Sequence, residues 1–357
     1  MGTDEENRGG RGTLAIAGVG LIGGSAGLAA REAGWEVVGV DEPEVLERAV
    51  EIGAIGRAST LKEAREADLV MLSAPISEVR NITGALAPTD ALITDAASTK
   101  SEVVSEAHAL GLRFVGGHPM AGSQLAGVAN ARVDLFRGAR YFLTPTGDTD
   151  PAAYREVSAF VQDLGATPTA VDPDKHDLLM ATLSHLPHLM AVALLRVASD
   201  ISPEALSFAG QSFRDLTRVG ASNPELWADI LAENRDALGE ALGAFAGAMA
   251  QIGSEISDRG SIERRFLDAR KAYDDLGGIL VENAGQNVDL DIPVENQPGI
   301  FARVTTLMGS NNINILDLYV RHSNTERAAL VLTLDANAAP QARELLHGAG
   351  FNAEVQG

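Results

Sequence analysis

The run TLAIAGVGLIGGSAGLAAREAGWEVVGVDEP, residues 13–43, leaves the chain few ways to fold. It predicts an apolar strand from Leu14 to Ala17, then Gly18, Gly20 and Gly23 in a G-x-G-x-x-G spacing. An alanine-rich helix follows to about Ala33, closed by Gly34. A second strand, Glu36 to Val40, ends at Asp41. Gly18 permits the tight turn, Gly20 lets backbone approach a pyrophosphate, and Gly23 lets helix pack on strand. Free N–H groups at the helix start face the phosphates. Asp41 stands 23 residues after Gly18. A carboxylate there accepts from a ribose 2′-OH and repels a 2′-phosphate, which favours NAD over NADP. Strand before, helix after and acid at the second strand's end separate this loop from a glycine-rich turn in some other α/β protein.

Further strands are read at Asp68–Ser73, Ala91–Asp95, Arg113–Gly116 and Ala139–Leu143. Strands alternating with helices imply a parallel sheet, with ligands gathered beyond the strands' C-terminal ends. Candidate cofactor contacts are therefore Gly18, Gly20, Leu21, Ile22, Gly23, Asp41, Ser73, Ala74 and Pro75. Asp95-Ala96-Ala97-Ser98 and Gly117-His118-Pro119 arrive at the same crevice. His118, in the stretch RFVGGHPMAGS, is placed to act as acid or base. The alternative is a histidine that merely occupies a turn.

From Asp172 the apolar spacing becomes helical, with a kink or helix junction expected at Pro187. His185 and His188 share a face. No acidic ligand cluster accompanies them, so no metal is expected; His185 reads as a core hydrogen-bonder and His188 as the functional candidate. Arg214 and Arg218 share a face if their turn is helical, and their forks suit carboxylates. Solvated arginines, or partners for Asp215 and Glu225, are the alternative. Ser222-Asn223-Pro224 starts a further helix. So much apolar helix predicts burial against a second copy, a homodimer. Residues 277–287 read as a linker, and the rest as strand, helix, strand, strand, helix, strand, a small α+β module. The expected fold class is α/β: a Rossmann-type parallel-sheet domain over 13–172, an all-helical domain over 173–284, and the module over 288–357. Residues 1–12 are expected to be disordered.

There is no cysteine, which removes disulfides, thiolate nucleophiles and zinc-thiolate sites. A net charge of −21 without a basic patch argues against nucleic acid and anionic membranes as partners. The polar N-terminus has no apolar signal core, and no apolar run of transmembrane length is expected. The reading is cytoplasmic.

With GVGLIGGS, TDAASTK, GGHPMAGS, SHLPH and FRDLTRVGASNPELW in order, residues 13 to about 280 resemble the prephenate dehydrogenases. The tail, with its NQPG turn, resembles an ACT domain, a module that binds amino acids. The resemblance implies NAD-dependent oxidative decarboxylation of prephenate to 4-hydroxyphenylpyruvate in tyrosine biosynthesis. His118 then matches the catalytic histidine, and Ser98 the serine that orients it. Arg218 matches the arginine that binds a substrate carboxylate, and His188 the histidine at the substrate's polar end. Arg214 and Ser123 line the site, and Trp227 forms a wall. Many relatives carry an acid where Gln124 stands; an acid could pair with the amine of arogenate, so Gln124 favours prephenate. The ACT-like tail implies an amino-acid effector, tyrosine, at Asn296, Pro298 and Gly299.

Arogenate dehydrogenase shares the fold and chemistry and is the nearest alternative. A 3-hydroxyacid dehydrogenase needs a catalytic lysine in the helical part; of the four lysines, Lys62, Lys100, Lys175 and Lys271, none sits in a suitable motif. A non-catalytic regulator binding NAD and an amino acid is the alternative of another class.

Overall fold

The computed structural model describes residues 11–122, 125–202, 204–283, 287–295, 297, 299–311, 313–315, 317–322, 327–336 and 338–355. Residues 1–10, Ser123, Gln124, Asn296 and Pro298 lie outside that set. The chain divides into two compact units, Met1–Met249 and Ala250–Gly357.

The first unit begins with β1 (Thr13–Ala17), α1 (Leu21–Glu32), β2 (Glu36–Val40), α2 (Pro43–Glu51), β3 (Arg57–Ala58), α3 (Leu61–Ala64), β4 (Leu69–Leu72) and α4 (Ile76–Leu86). It continues with β5 (Leu92–Asp95), α5 (Ser101–Ala109), β6 (Phe114–Pro119), β7 (Arg140–Thr144), α6 (Pro151–Asp163) and β8 (Thr167–Ala170). The strands form one sheet in the order β3-β2-β1-β4-β5-β6-β7-β8. The order reverses between β1 and β4, which opens a crevice at the strands' C-terminal ends. Alternate residues of β1 explain the layers. Leu14 and Ile16 join one buried apolar cluster, Ala15 and Ala17 another, so both faces are covered by helices.

Two expectations are corrected. The sheet is not parallel throughout: β7 runs antiparallel to β6, and among the described residues between them there is a short 3₁₀ turn and no crossover helix. The sixth strand also does not end at Gly116. It continues through Pro119, pairing His118 with Phe142, so His118 stands in a strand and not in a turn.

The helical part of this unit comprises α7 (Pro173–Met180), a π-helical turn (Ala181–His185), α8 (Leu186–Ile201), α9 (Gln211–Thr217), a 3₁₀ turn (Arg218–Ala221), α10 (Pro224–Glu233) and α11 (Arg235–Glu255), whose end lies in the second unit. Its starts are legible in the sequence. Asp172 caps α7 ahead of Pro173, and Asn223 caps α10 ahead of Pro224. Pro187 acts as expected, with a refinement. It has no N–H to donate, and the chain widens just before it, the Leu186 N–H reaching back to the Ala181 carbonyl. The run 173–201 proves long and apolar enough, by length and composition, to cross a membrane. Its polar residues His176, Asp177 and His185 are buried and hydrogen-bonded to other elements, as a packed helix requires. Val192, Val197 and Ile201 are exposed along α8.

In the second unit α12 (Arg259–Asn283) runs straight through Gly277-Gly278, where a linker was expected. Arg265 binds Glu255 with both ends of its fork, at 2.7 and 2.9 Å. β9 (Asn287–Glu295), α13 (Ile300–Ser310), β10 (Asp317–His322), β11 (Arg327–Asp335), α14 (Ala339–Gly348) and β12 (Glu354–Val355) follow. They form an antiparallel sheet in the order β10-β11-β9-β12 over its own core, which includes Leu290, Ile292, Leu330, Leu332, Val304 and Leu346.

Candidate active site

The glycine loop sits where β1 enters α1. Gly18 has φ +91, and a Cβ there would stand 2.4 Å from the Ala74 nitrogen, so the loop after β4 presses directly on it. Ser73 Oγ donates to the Gly18 carbonyl at 2.6 Å. Ser73 thus braces the loop. Asp41 closes the other side: its carboxylate accepts the Val19 N–H at 2.6 Å and the Glu42 N–H at 2.7 Å. A side chain at Gly20 would meet nothing within 4 Å, and no acid stands in the first turn of α1. Open space, free N–H groups beside half-buried Leu21 and Ile22, and a carboxylate at the end of β2 fit a dinucleotide with a free 2′-hydroxyl.

Next to this loop lies a buried polar chain. Asp95, at the end of β5, accepts the Gly117 N–H at 2.8 Å and the Ala97 N–H at 3.0 Å, which folds the turn carrying half-buried Ser98. Asp95 also pairs with Lys100, whose Nζ donates to the Gly117 carbonyl at 2.8 Å. Burial pulls the Lys100 ammonium below its ordinary pKa, and the Asp95 carboxylate pushes back. Tyr141 donates to the Asp95 carbonyl, and burial drives its phenol upward. Gly117, the residue before His118, is thereby held at both its N–H and its C=O.

Part-buried His118 places Nδ1 2.9 Å from His176 Nε2, and His176 Nδ1 lies 2.8 Å from Asp177 Oδ1. The His176 ring meets both His118 and Phe142 edge-on. Asp177 accepts the Lys100 and Ser101 N–H groups at 2.8 Å each, capping α5 from a different helix. Desolvation, His176, Lys100 and His185 hold His118 well below the ordinary histidine pKa, lower than its residue type alone implies. Each of these disfavours the protonated, charged form of the ring. Burial also lowers His176 against the pull of Asp177. Burial raises Asp177, but hydrogen bonds from His176 and Ser101 outweigh it and leave the carboxyl lowered.

Asn234 extends the chain. Its Nδ2 donates to the Asp177 carbonyl at 2.8 Å and lies 3.0 Å from His185 Nδ1. His185 is thus the core hydrogen-bonder expected of it, and burial lowers its pKa to about 4. Its ring meets the edge of Trp227, and His188 stacks on Trp227 with ring centres 3.6 Å apart. His188 Nδ1 donates to the Ser184 carbonyl at 2.8 Å, leaving Nε2 for a ligand. Across the same region Arg80 of α4 binds Glu106 of α5 and Glu233 of α10, and Ser77 bonds Asp229.

His118, His188 and Trp227 therefore belong to one continuous set of contacts. Arg214 and Arg218 are exposed, on segments packed against α8. Among the described residues no hydrogen bond joins them, or Ser98, to His118. Gly299 caps α13 with φ +84. No group of three or more metal-ligating side chains occurs among the described residues. Sequence reading missed His176, Asp177, Lys100 and Asn234 as site residues. For His176 and Asp177 the signal was the DKHD run, whose last two polar residues are buried on the inward side of α7.

Residues 26–169 match the family model for the prephenate dehydrogenase nucleotide-binding domain, and 172–267 that for the prephenate dehydrogenase dimerization domain. Residues 290–351 match the ACT domain. The prephenate dehydrogenase of Bacillus subtilis (strain 168) is 31% identical over 326 residues, 86% of this chain and 88% of that protein. The chain belongs to the prephenate dehydrogenase family. Among solved structures, A. aeolicus prephenate dehydrogenase in complex with hydroxyphenyl propionate and NAD+ superposes with a TM-score of 0.69. It is 31% identical, over 75% of this chain and 98% of that one. Synechocystis arogenate dehydrogenase gives a TM-score of 0.65 at 32% identity, over 74% and 99%. The chain is thus an oxidoreductase of this family, with a Rossmann-like domain fitted to NAD and a C-terminal ACT domain.

Proposed function

We propose that this member of the family is an NAD-dependent prephenate dehydrogenase, with His118 as its catalytic base. The observation that carries the reading is the buried chain that keeps His118 neutral beside the dinucleotide loop. Prephenate carries a ring carboxylate, a pyruvyl side chain and a C4 hydroxyl. NAD, when bound, supplies the acceptor for the C4 hydride. His118 takes the hydroxyl proton, and Ser98 hydrogen-bonds the same oxygen and orients the ring. Arg218, exposed on its turn, forks onto a carboxylate. His188, stacked on Trp227, meets the polar end of the side chain, with Arg214 beside it. As the C4 carbonyl forms, carbon dioxide leaves C1 and the ring becomes aromatic.

The protein acts in the cytoplasm as a homodimer. Exposed Val192, Val197 and Ile201 on α8 support that reading, within a region matched by a dimerization-domain model. Three functional divisions follow: 13–172 for the dinucleotide, 173–284 for substrate and dimerisation, and 288–357 for a tyrosine effector at Asn296, Pro298 and Gly299.

The test is NADH absorbance of the purified protein with NAD and, in parallel, prephenate or arogenate. Turnover of prephenate alone is the expected result. Turnover of arogenate keeps the chemistry and replaces the substrate. Silence with both, in folded protein that binds NAD, overturns the enzyme reading.

A further inference from the structure

The hydrogen bonds behind His118 dictate which of its nitrogens carries the hydrogen. Asp177 accepts the backbone N–H groups of Lys100 and Ser101, one on each oxygen, as an ionised carboxylate does. It has no proton to give, so His176 Nδ1, 2.8 Å away, is the donor. A neutral imidazole carries one N–H, which leaves His176 Nε2 bare. That bare nitrogen lies 2.9 Å from His118 Nδ1, so His118 Nδ1 carries the hydrogen and Nε2 holds the lone pair.

We infer that His176 and Asp177 are positioning residues of the dehydrogenase reaction, fixing His118 in its Nδ1–H tautomer and receiving the positive charge when Nε2 is protonated. The inference rests on the reading of His118 as the base. The substrate O–H bond breaks and its proton bonds His118 Nε2. The O–H electron pair becomes the carbonyl π bond as the hydride leaves C4 for NAD. In the same step the Nδ1–H bond of His118 breaks and that proton bonds His176 Nε2. The charge ends on a His176 imidazolium whose Nδ1–H faces Asp177, and it drains to solvent when the protons shift back.

The neighbouring charges favour this direction. His118 faces His176, His185 and the Lys100 ammonium, all of which oppose a positive charge on it. His176 feels Lys100 as well, but has Asp177 in contact and Asp95 near, both of which support one. The His176 ring is buried, with Phe142 packed edge-on against it. The Asp177 oxygens are held by α5, so the acceptor cannot turn away.

The experiment is ring-nitrogen NMR on full-length protein labelled with ¹⁵N-histidine, together with pH-rate and proton-inventory measurements on the variants. In the resting wild type both His118 and His176 are expected as Nδ1–H tautomers. His176→Gln is expected to lower kcat about 10- to 100-fold, with prephenate KM and NAD Kd within about twofold. The proton inventory, bowed in the wild type because two protons move, becomes linear in this variant. Asp177→Asn should scramble both tautomers; it also uncaps α5, so His176→Gln decides if that protein does not fold. An Nε2–H tautomer of His118, or wild-type kcat in His176→Gln, overturns the inference while leaving His118 as base. A wild type that turns over neither prephenate nor arogenate overturns the underlying reading, and the inference with it.

Discussion

Lys100 and Asp95 form an ion pair in which neither side chain is exposed, and both grip Gly117, the residue that precedes His118. Two buried charges cost several kcal/mol of desolvation each, which mutual attraction alone scarcely offsets. What the pair provides is placement: Gly117 cannot rotate without breaking a charged hydrogen bond at its N–H or its C=O. Lys100→Met leaves Asp95 charged, buried and unpartnered by a cation. Unfolding free energy in urea should fall by roughly 3–5 kcal/mol. Adding Asp95→Asn should recover most of that, because the uncompensated charge is gone. Equal losses in the single and double variants would mean that the pair contributes shape and not charge.

Stability should also fall as acid is added, from a pH well above the carboxylate range. The ordinary histidine pKa is 6.5 and the folded His185 pKa is about 4. Between these values the unfolded chain binds a proton that the folded protein refuses, so unfolding free energy rises with pH across the window. The contribution of His185 is complete above about 6.5 and lost by about 4, and amounts to about 3 kcal/mol. Asp177, lowered in the fold, adds a second loss of the same sign beneath it, as pH drops through its folded pKa. Urea titrations between pH 4 and 6.5 should show the slope, and His185→Gln should remove about one proton's worth. An unchanged slope would show that burial does not hold His185 neutral in the fold.

How much of this was readable beforehand depends on the range of each interaction. The glycine loop, the second strand ending at Asp41, the helical spacing from Asp172 and the cap-proline start at Asn223 are local patterns, and the structure reproduces them. The π-helical turn before Pro187 was half legible, since proline announces a break but not its form. The antiparallel β7 was not, because Arg140–Thr144 reads the same in either direction. Nor was the His118–His176–Asp177 chain. His176 is 58 residues from His118, and only the packing of α7 on α5 and β7 brings them together.

Asp41 should govern the choice of dinucleotide. Its carboxylate accepts the Val19 N–H, and Asp41→Asn keeps an acceptor oxygen for that bond. The charge is what the substitution removes. A charged hydrogen bond to the ribose is worth about 1.5–3 kcal/mol, so NAD should bind about 10- to 100-fold more weakly. NADP, relieved of repulsion against its 2′-phosphate, should lose little or gain. Titration of protein fluorescence with each dinucleotide checks this; equal weakening of both would point to a collapsed loop.

Arg218→Ala should act on substrate and spare the cofactor. The arginine is exposed and, among the described residues, takes part in no ion pair, so its removal strands no buried acid. If its fork binds a prephenate carboxylate, KM should rise by the equivalent of about 1.5–3 kcal/mol with NAD affinity unchanged. Steady-state kinetics at saturating NAD read this directly, and an unmoved KM would remove Arg218 from the site.

The pH dependence of kcat/KM should carry the mark of the buried histidines. A base works only when unprotonated, so activity is lost as pH falls through its pKa in the free enzyme. Burial, His176, Lys100 and His185 all push His118 down, and burial pushes His176 down too. The acid limb, which belongs to the pair and not to either ring, should therefore lie below the ordinary histidine value of 6.5. A limb at or above 6.5 would place the base in solvent, away from this chain. His118→Asn should erase the limb and lower turnover by about 10²- to 10⁴-fold, while NAD still binds. The glycine loop and Asp41 owe nothing to the His118 ring, so an Asn variant that also lost NAD would make His118 a structural residue of the crevice.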